Sequence, residues 1–262
     1  MYVGLAWHFW NSRWRAARTT PPQPGLRTWE RLAILAPLAL HGWLLYDGVF
    51  AHELRFGFAQ ALSVMMFLGV AVYWVESLFY SLEGMLPLAL PLAALAAPLP
   101  ALFPGLASSG AQAAAAEFKL HLALAMIAYG LFVIALLHAT LMSFAERQLH
   151  LKGRVAFPNL PPLLTLETLL FRMIGAAFVF LTLTLATGIA FSEALFGRAM
   201  RFDHKTVFAV LSWLIFAWLL AGRWRYGWRG RTALRWTLSG FVMLLLAYVG
   251  SRFVLEVLLA RA

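Results

Sequence analysis

The sequence predicts an all-α, polytopic helical membrane protein with about seven full transmembrane helices plus a short N-terminal apolar segment. Hydrophobic residues make up 62% of the 262 residues and charged residues 12%, which is too little charge for a soluble domain of this length. Long apolar runs also follow one another along the chain, each close to the roughly 20 residues that cross a bilayer. We therefore expect one integral membrane domain over residues 1–262, embedded in a lipid bilayer.

The chain starts with a short apolar segment, MYVGLAWHFW. Ten residues are too few to span a membrane. The segment is either the end of a first helix that has lost its beginning or a short interfacial anchor, and the sequence leaves both open. A basic stretch at 13–31 follows it.

Seven apolar runs then predict seven membrane spans. They lie at residues 31–50, 58–80, 85–104, 118–144, 166–191, 206–222 and 236–258. The third run is rich in proline, which removes helical hydrogen bonds. We expect that span to be kinked or broken, with neighbouring helices satisfying the freed carbonyls.

The distribution of cations predicts the orientation. Most Lys and Arg residues lie in the loops at 13–31, 145–165 and 223–235, and loops rich in Lys and Arg stay on the cytoplasmic side. The spans 118–144 and 206–222 therefore begin at the outer face. The outer loop that ends in RAMRFDHKT breaks this rule, because it carries Arg198, Arg201 and Lys205. Such a local excess of cations favours an anionic ligand.

Several classes of function are disfavoured. The formal net charge of +10 comes mostly from short loops between apolar runs, so it sets orientation and does not indicate a nucleic-acid partner. The chain has no cysteine, which excludes disulfides, thiolate metal sites and thiol catalysis. No nucleotide-binding, metalloprotease or paired-carboxylate motif occurs. We expect this chain not to be an enzyme.

Two histidines are the best candidate metal ligands. His121 and His204 begin different spans at the same predicted face, and paired axial histidines are one way in which proteins hold haem iron. Arg201 and Lys205 are candidates to bind the haem propionates, and Asp203 to accept the far ring N–H of a ligand histidine. The alternative is a pair of interfacial histidines that mark contact with water.

Other ionisable residues lie within the spans, where they are costly. His41 is either a third haem ligand at greater depth or a neutral histidine bonded to a carbonyl, serine or threonine of a neighbouring helix. His138 is assigned a structural role. Arg252 and Glu256 stand four residues apart, a spacing that favours an ion pair on one helix face.

Four consecutive stretches resemble one family in order and spacing. They read KLHLALAMIAYGLFVIALLHA, LPPLLTLETLLFRMIGAAFVFLTLTLATGIA, FDHKTVFAVLSWLIFAWLL and GWRGRTALRWTLSGFVMLLLAYVGSRFV. The chain resembles the cytochrome c assembly membrane proteins, which are CcsA/CcmC-type haem-handling proteins. The resemblance is strongest over 118–258 and is greatest to the HemX/YpjD-like branch, whose members are polytopic proteins of the bacterial inner membrane.

The resemblance implies part of a haem site. In the family, outer-face histidines that flank a Trp-rich loop hold haem, and His121 matches the first of them by its place at the head of its helix. Residues 202–205 stand where the Trp-rich signature ends, but the tryptophans are missing. The second outer histidine of the family has no match, since Arg252 lies in that region. Ligation by His204 therefore rests on the residues of this chain and not on the resemblance.

The leading functional hypothesis is a haem-binding or haem-handling protein for cytochrome c assembly in the bacterial inner (plasma) membrane. It would bind and route haem without making bonds, with haem, the lipid bilayer and other cytochrome c assembly proteins as partners. The alternative is a small-solute or ion transporter, or its accessory subunit, which should show repeat symmetry with interrupted helices at mid-membrane. A third hypothesis is an assembly factor whose histidines stabilise packing.

Overall fold

The regular structure of the described residues consists of helices. The computed structural model describes residues 1–15, 25–50, 55–105, 115–150, 162–196 and 203–259. Its α-helices are α1 (Tyr2–Phe9), α2 (Thr28–Phe50), α3 (Phe58–Glu76), α4 (Leu86–Ala96), α5 (Leu99–Leu102), α6 (Ala116–His150), α7 (Leu163–Phe196), α8 (His204–Tyr226), α9 (Gly230–Leu245) and α10 (Ser251–Phe253). Helix α1 continues as a π-helix over Trp10–Arg15, a 3₁₀ turn at Glu83–Met85 precedes α4, and π-helical segments at Leu246–Gly250 and Val254–Leu258 flank α10.

Seven of the described helical stretches are long and apolar enough to cross a membrane, which confirms the predicted all-α multi-pass architecture. They are Thr28–Val49, Phe58–Glu76, Glu83–Leu102, Ala116–Arg147, Leu163–Phe191, His204–Tyr226 and Gly230–Leu258. Large apolar side chains on these spans stay exposed, such as Trp43 at 61% and Leu164 at 71%. In a helical membrane protein such side chains face lipid.

The third span is interrupted, as its prolines predict. Helix α4 ends at Ala96, and the separate short helix α5 begins at Leu99. Pro98 is the N-cap of α5, where its missing N–H leaves no helical hydrogen bond unmade.

One face of the N-terminal apolar segment packs against the bundle. Phe9 is fully buried, and Arg13, at 2% exposure, donates a 2.5 Å hydrogen bond to Glu30 of α2. The hydroxyl of Tyr2 lies 3.2 Å from Nδ1 of His41, more than halfway along α2 from its first residue. Helix α1 therefore runs beside α2, and the expectation of an interfacial anchor is wrong. A segment that carries an apolar face and one partnered arginine is better buried in the bundle than left at the bilayer surface.

Helix α6 is the centre of the bundle, since it packs against α3, α7 and α9. The Tyr129 hydroxyl donates a 2.6 Å hydrogen bond to the carbonyl of Leu244 in α9. The ring of Phe132 stacks on Phe216 of α8 with centroids 3.9 Å apart. These contacts place the starts of α6 and α8 at one end of the bundle, together with the ends of α7 and α9. We call this end the outer end, because the cation bias predicts that it faces outward.

Close approach of α3 and α6 depends on Gly130. A Cβ added there would lie 2.6 Å from Cβ of Leu68. Small residues at such crossings let helix backbones approach in a membrane, where burial of apolar surface from water drives little association.

Gly130→Ala should therefore destabilise the protein. The added methyl group meets the base of a side chain and not its flexible end, and overpacking of this kind costs about 1–3 kcal/mol. The measurement is thermal unfolding of the purified protein in detergent, where the variant should unfold at a lower temperature.

Gly175→Ala in α7 is the matched control, because a Cβ there meets nothing within 4 Å. It should be neutral or slightly stabilising, since alanine favours helix over glycine. Equal unfolding temperatures for the two variants would contradict the role of Gly130 in helix packing.

Candidate functional site

His121 lies in the second turn of α6 at the outer end and is half-buried against α7. Its Nδ1 is 3.0 Å from the hydroxyl oxygen of Thr187. The single hydroxyl proton of Thr187 is already directed to backbone carbonyls of its own helix, with Leu183 O at 2.8 Å and Thr184 O at 3.1 Å. We therefore assign Thr187 as the acceptor from His121, with the ring proton on Nδ1 and the lone pair on Nε2. A ligand histidine has this form when its other ring nitrogen donates to an oriented acceptor.

The backbone of α7 also fixes the position of this ring. A Cβ at Gly188 would lie 3.2 Å from Cε1 of His121, so the imidazole sits directly against the helix. Thr187 and Gly188 together orient the histidine, and the sequence analysis identified neither. The signal was present, because a threonine near the outer end of the span that follows His121 lies at the same depth.

His204 is the first residue of α8, and its side chain is exposed. The depth of His204 in the bundle can be compared with that of His121, because Phe132 of α6 and Phe216 of α8 stack on each other and mark a common level. His121 lies eleven residues before Phe132, and His204 lies twelve before Phe216. At 1.5 Å per residue both are about 16–18 Å from the stacked rings, so the two histidines lie at the same depth. No hydrogen bond or ring contact joins them among the described residues.

Asp203 has a different role from the one predicted. It is the N-cap of α8, and its Oδ1 accepts a 3.0 Å hydrogen bond from the backbone N–H of Thr206. The first-turn N–H groups of a helix have no partner within the helix, and an aspartate at the cap supplies one. The predicted bond from Asp203 to a ligand histidine is therefore absent among the described residues, and Thr187 provides the acceptor for His121 instead.

The charge of Asp203 follows from this geometry. Partial burial acts to raise the pKa of Asp203, but the hydrogen bonds from Thr206 and the neighbouring Lys205 and His204 outweigh it, so the pKa is lowered. The cap is therefore a carboxylate at neutral pH, and it adds negative charge where the helix dipole is positive.

Two cationic side chains lie near each other at the outer end. Lys205, the second residue of α8, is half-buried and interacts electrostatically with Arg252 of α10. Arg252 lies eight residues beyond Leu244, and His121 lies eight residues before Tyr129. Since Tyr129 bonds to Leu244, both are about 12 Å from that contact toward the outer end. Arg252 therefore lies at the depth of His121.

The predicted ion pair between Arg252 and Glu256 is wrong. The guanidinium of Arg252 lies over the Tyr248 ring, 5.8 Å from its centroid. The Glu256 carboxylate instead lies against Gly57, the N-cap of α3, where the dipole of that helix favours negative charge. Among the described residues neither Lys205 nor Arg252 forms an ion pair. Arg201, the other predicted cation, lies outside the described residues.

His41 lies deeper and is closed off from ligands. Its side chain is 2% exposed, with Nε2 2.8 Å from the hydroxyl of Ser63 and Nδ1 3.2 Å from that of Tyr2. Both ring nitrogens are engaged, so iron binding would require one of these bonds to break. This is the geometry of the structural alternative, a neutral histidine bonded to a serine of a neighbouring helix. A ligand role for His41 stays a prediction.

The donor set at the outer end fits a cofactor that brings its own in-plane ligands. No group of three or more His, Cys, Asp or Glu side chains in the described ranges could hold a bare metal ion. Haem needs only one or two axial ligands from the protein. One oriented imidazole with a lone pair, a second histidine at equal depth and two unpaired cations match the iron and the propionates.

The sequence model of the cytochrome C assembly protein family matches residues 29–259. The chain belongs to this family. The resemblance seen in the sequence is thereby confirmed, and the match covers all seven described membrane spans except the first residue of the first one.

Similar proteins carry related names. The inner membrane protein YpjD of Escherichia coli K12 is 34% identical over 138 residues, which cover 53% of this chain and 52% of YpjD. The cytochrome c biogenesis protein CcsA of Prochlorococcus marinus is 39% identical over 88 residues, which cover 34% of this chain and 28% of that protein. The chain thus spans about half the length of the YpjD proteins it matches. No solved structure matches the chain significantly.

Asp203→Ala should loosen the start of α8. Loss of an N-cap side chain costs about 1 kcal/mol, so the amides of the first turn should exchange with solvent faster in hydrogen-exchange mass spectrometry. Because the pKa of Asp203 is lowered, the stabilisation is present above the ordinary pKa of the group and lost as the pH falls through the lowered value. Acidification should therefore lower the protection of the same amides in the unaltered protein, measured as the exchange rate relative to the intrinsic rate at each pH.

Asp203→Asn is the control for this prediction, since asparagine is an equally good cap. It should keep slow exchange at neutral pH and lose the acid dependence. Fast exchange in both variants at neutral pH would contradict a capping role for the side chain.

Proposed function

We propose that this chain binds haem at the outer end of its bundle and hands it on during cytochrome c assembly. The observation that carries the proposal is the position of the His121 ring, whose Nδ1 lies 3.0 Å from the Thr187 hydroxyl; with the ring proton assigned to Nδ1, the lone pair is on Nε2. The proposal is supported by the family and by similarity to proteins named for cytochrome c biogenesis. By analogy with YpjD, the site of action is the bacterial inner membrane.

His121 and His204 are the proposed axial ligands. His121 is oriented by α7, whereas His204 is exposed at the start of α8 and free to turn toward the iron. An oriented ligand beside an exposed one suits a handling protein, because the exposed histidine can be released when haem passes to an acceptor. The role is binding and transfer, since a chain without cysteine leaves thioether formation to the cysteines of the acceptor.

Lys205 and Arg252 are the proposed partners of the haem propionates, together with Arg201. Two half-buried cations that repel each other are unfavourable at a membrane surface unless an anion lies between them. Carboxylates with Arg and Lys form charge-assisted hydrogen bonds, about twice as strong as neutral ones. The proposed partners of the protein are therefore haem and the assembly proteins that deliver or receive it.

The transporter alternative lacks support from the second half of the chain. Transporters of this kind place interrupted helices in corresponding positions of two repeats. The break between α4 and α5 has no proline-containing counterpart in α6, α7, α8 or α9.

Loss of the histidines should change haem binding in different ways. The purified protein reconstituted with haem should give a low-spin absorption spectrum, as paired axial histidines do. His121→Ala should lose most of the haem, and His204→Ala should leave a weaker, five-coordinate or water-ligated form. Thr187→Val should lower haem affinity roughly tenfold, as loss of the acceptor behind a ligand histidine typically does.

Thr168→Val is the matched control for Thr187→Val, since Thr168 also bonds to its own helix, at Leu164 O, but far from the outer end. It should bind haem like the unaltered protein. Wild-type spectrum and occupancy in both histidine variants would place the site elsewhere, and failure of the unaltered protein to bind haem would overturn the proposed function.

Removal of both cations should weaken haem binding without changing the iron. Lys205→Ala combined with Arg252→Ala removes two charge-assisted hydrogen bonds worth about 1.5–3 kcal/mol each, so the Kd should rise by at least roughly a hundredfold. The absorption spectrum of the bound haem should stay the same, because propionates do not touch the iron.

The control for this variant removes two exposed cations at the opposite end of the bundle. Arg225→Ala combined with Arg231→Ala makes the same change in net charge and should leave the haem Kd unchanged. Equal losses of affinity in the two double variants would mean that general electrostatic attraction, and not a propionate site, accounts for the effect.

A further inference from the structure

A buried acid and a buried histidine face each other in the half of the bundle away from the outer end. Glu76 is the last residue of α3, and His138 lies in the inner half of α6. Oε2 of Glu76 is 3.5 Å from Nε2 of His138. Their exposures are 6% and 0%. No part of the proposed haem site uses either residue.

The other ring nitrogen of His138 settles which atom carries the ring proton. Nδ1 lies 2.9 Å from the backbone carbonyl of Ile134, one helical turn earlier. A carbonyl oxygen can only accept, so Nδ1 is the donor. In the neutral ring Nε2 is then an acceptor, and it points at a carboxyl group that also only accepts when it is ionised.

Two acceptors cannot bond to each other, so the pair must hold one proton between them. Neither Glu76 oxygen accepts a hydrogen bond from another donor among the described residues, and His138 Nε2 has no hydrogen-bond partner there besides the carboxyl group 3.5 Å away. A carboxylate there would be buried without the hydrogen bonds that make a buried charge tolerable. The neutral acid needs only one acceptor for its proton, and His138 Nε2 supplies it.

The charged groups around the pair do not remove this requirement. Arg13 is bonded to Glu30, so its charge is already compensated. Tyr73, one turn before Glu76 on α3, interacts electrostatically with groups from three neighbouring elements, which are Glu83 of the 3₁₀ turn, Arg13 and Arg31. The Tyr73 hydroxyl donates to the carbonyl of Leu82 and is thus not available to Glu76.

We propose that Glu76 and His138 form a proton-binding site within the membrane-spanning bundle, in which Glu76 is the neutral acid and donates its proton to Nε2 of His138. Buried Asp, Glu and His side chains that hold a proton at membrane depth are the groups from which proton relays are built. Glu76 lies at the end of its helix away from the haem site, so the proton exchanges with the predicted cytoplasmic side. The site is independent of haem binding.

The site makes stability depend on pH in a defined direction. Glutamate in water is ionised at neutral pH, so folding takes up a proton at Glu76. The native state then binds more protons than the unfolded state, and the free energy of unfolding falls as the pH rises.

Two measurements on the full-length protein in detergent test the proposal. The first is infrared spectroscopy of the carboxyl C=O stretch at neutral pH. The unaltered protein should show the band of a buried protonated carboxyl group, and the band should lose intensity in Glu76→Gln. Glu167→Gln is the matched control, because Glu167 is 8% exposed and ion-paired with Arg223. It should keep the full intensity, and an equally intense band in Glu76→Gln would overturn the proposal.

The second measurement needs no substitution at the site. Nitrogen-15 NMR of the histidines should show His138 as a neutral ring protonated at Nδ1 and unprotonated at Nε2. A doubly protonated His138 would mean an ion pair with ionised Glu76, which overturns the assignment of the proton to Glu76. In thermal unfolding, the fall in stability with rising pH should be smaller in Glu76→Gln than in the unaltered protein, while Glu167→Gln should keep it.

Discussion

The bilayer interior offers no water to a polar group, and the arrangement of this protein depends on that constraint. A buried hydroxyl, imidazole or carboxyl group must find its partner within the bundle, or its burial costs several kcal/mol. His41 bonds to Ser63 and Tyr2, and His138 bonds to the carbonyl of Ile134 and lies 3.5 Å from Glu76. The bonds of His41 join α1 to α2 and α2 to α3, and the approach of Glu76 to His138 lies between α3 and α6, so these polar contacts also fix which helices are neighbours.

The two ends of the bundle satisfy this constraint differently. Toward the inner end, Arg13 is paired with Glu30 and Glu76 with His138, so the polar groups close on one another. At the outer end Lys205 and Arg252 repel each other, and neither forms an ion pair among the described residues, although Asp203 attracts Lys205. Excess positive charge beside an oriented imidazole suits the anionic metal complex proposed to bind there, whereas the inner end resembles a structural network.

Local sequence patterns do not predict which partners the polar side chains of this protein contact. Orientation of His121 by Thr187 involves residues 66 positions apart, and no local pattern relates them. Asp203 was assigned to a histidine because it stands next to one, yet the nearest unpaired donor is the backbone N–H of Thr206. Arg252 was paired with Glu256 by helical spacing, yet the N-terminus of α3 lies closer to that carboxylate. In each case a residue close in sequence was a reasonable partner, but the side chain contacts a different group in the folded protein.

The sequence by itself determined the membrane architecture, the number of full spans and the break in the third one. Those features depend on the length of apolar runs and on proline, which act locally whatever the neighbours are. It also placed His121 and His204 at one depth, since the rise of a helix is fixed. Only the tertiary structure decided which polar groups of the described residues have a hydrogen-bond or ion-pair partner within the bundle and which have none. Partner choice depends on which helices pack together, and in a lipid environment close contact between helix surfaces selects those neighbours more than hydrophobic pattern does.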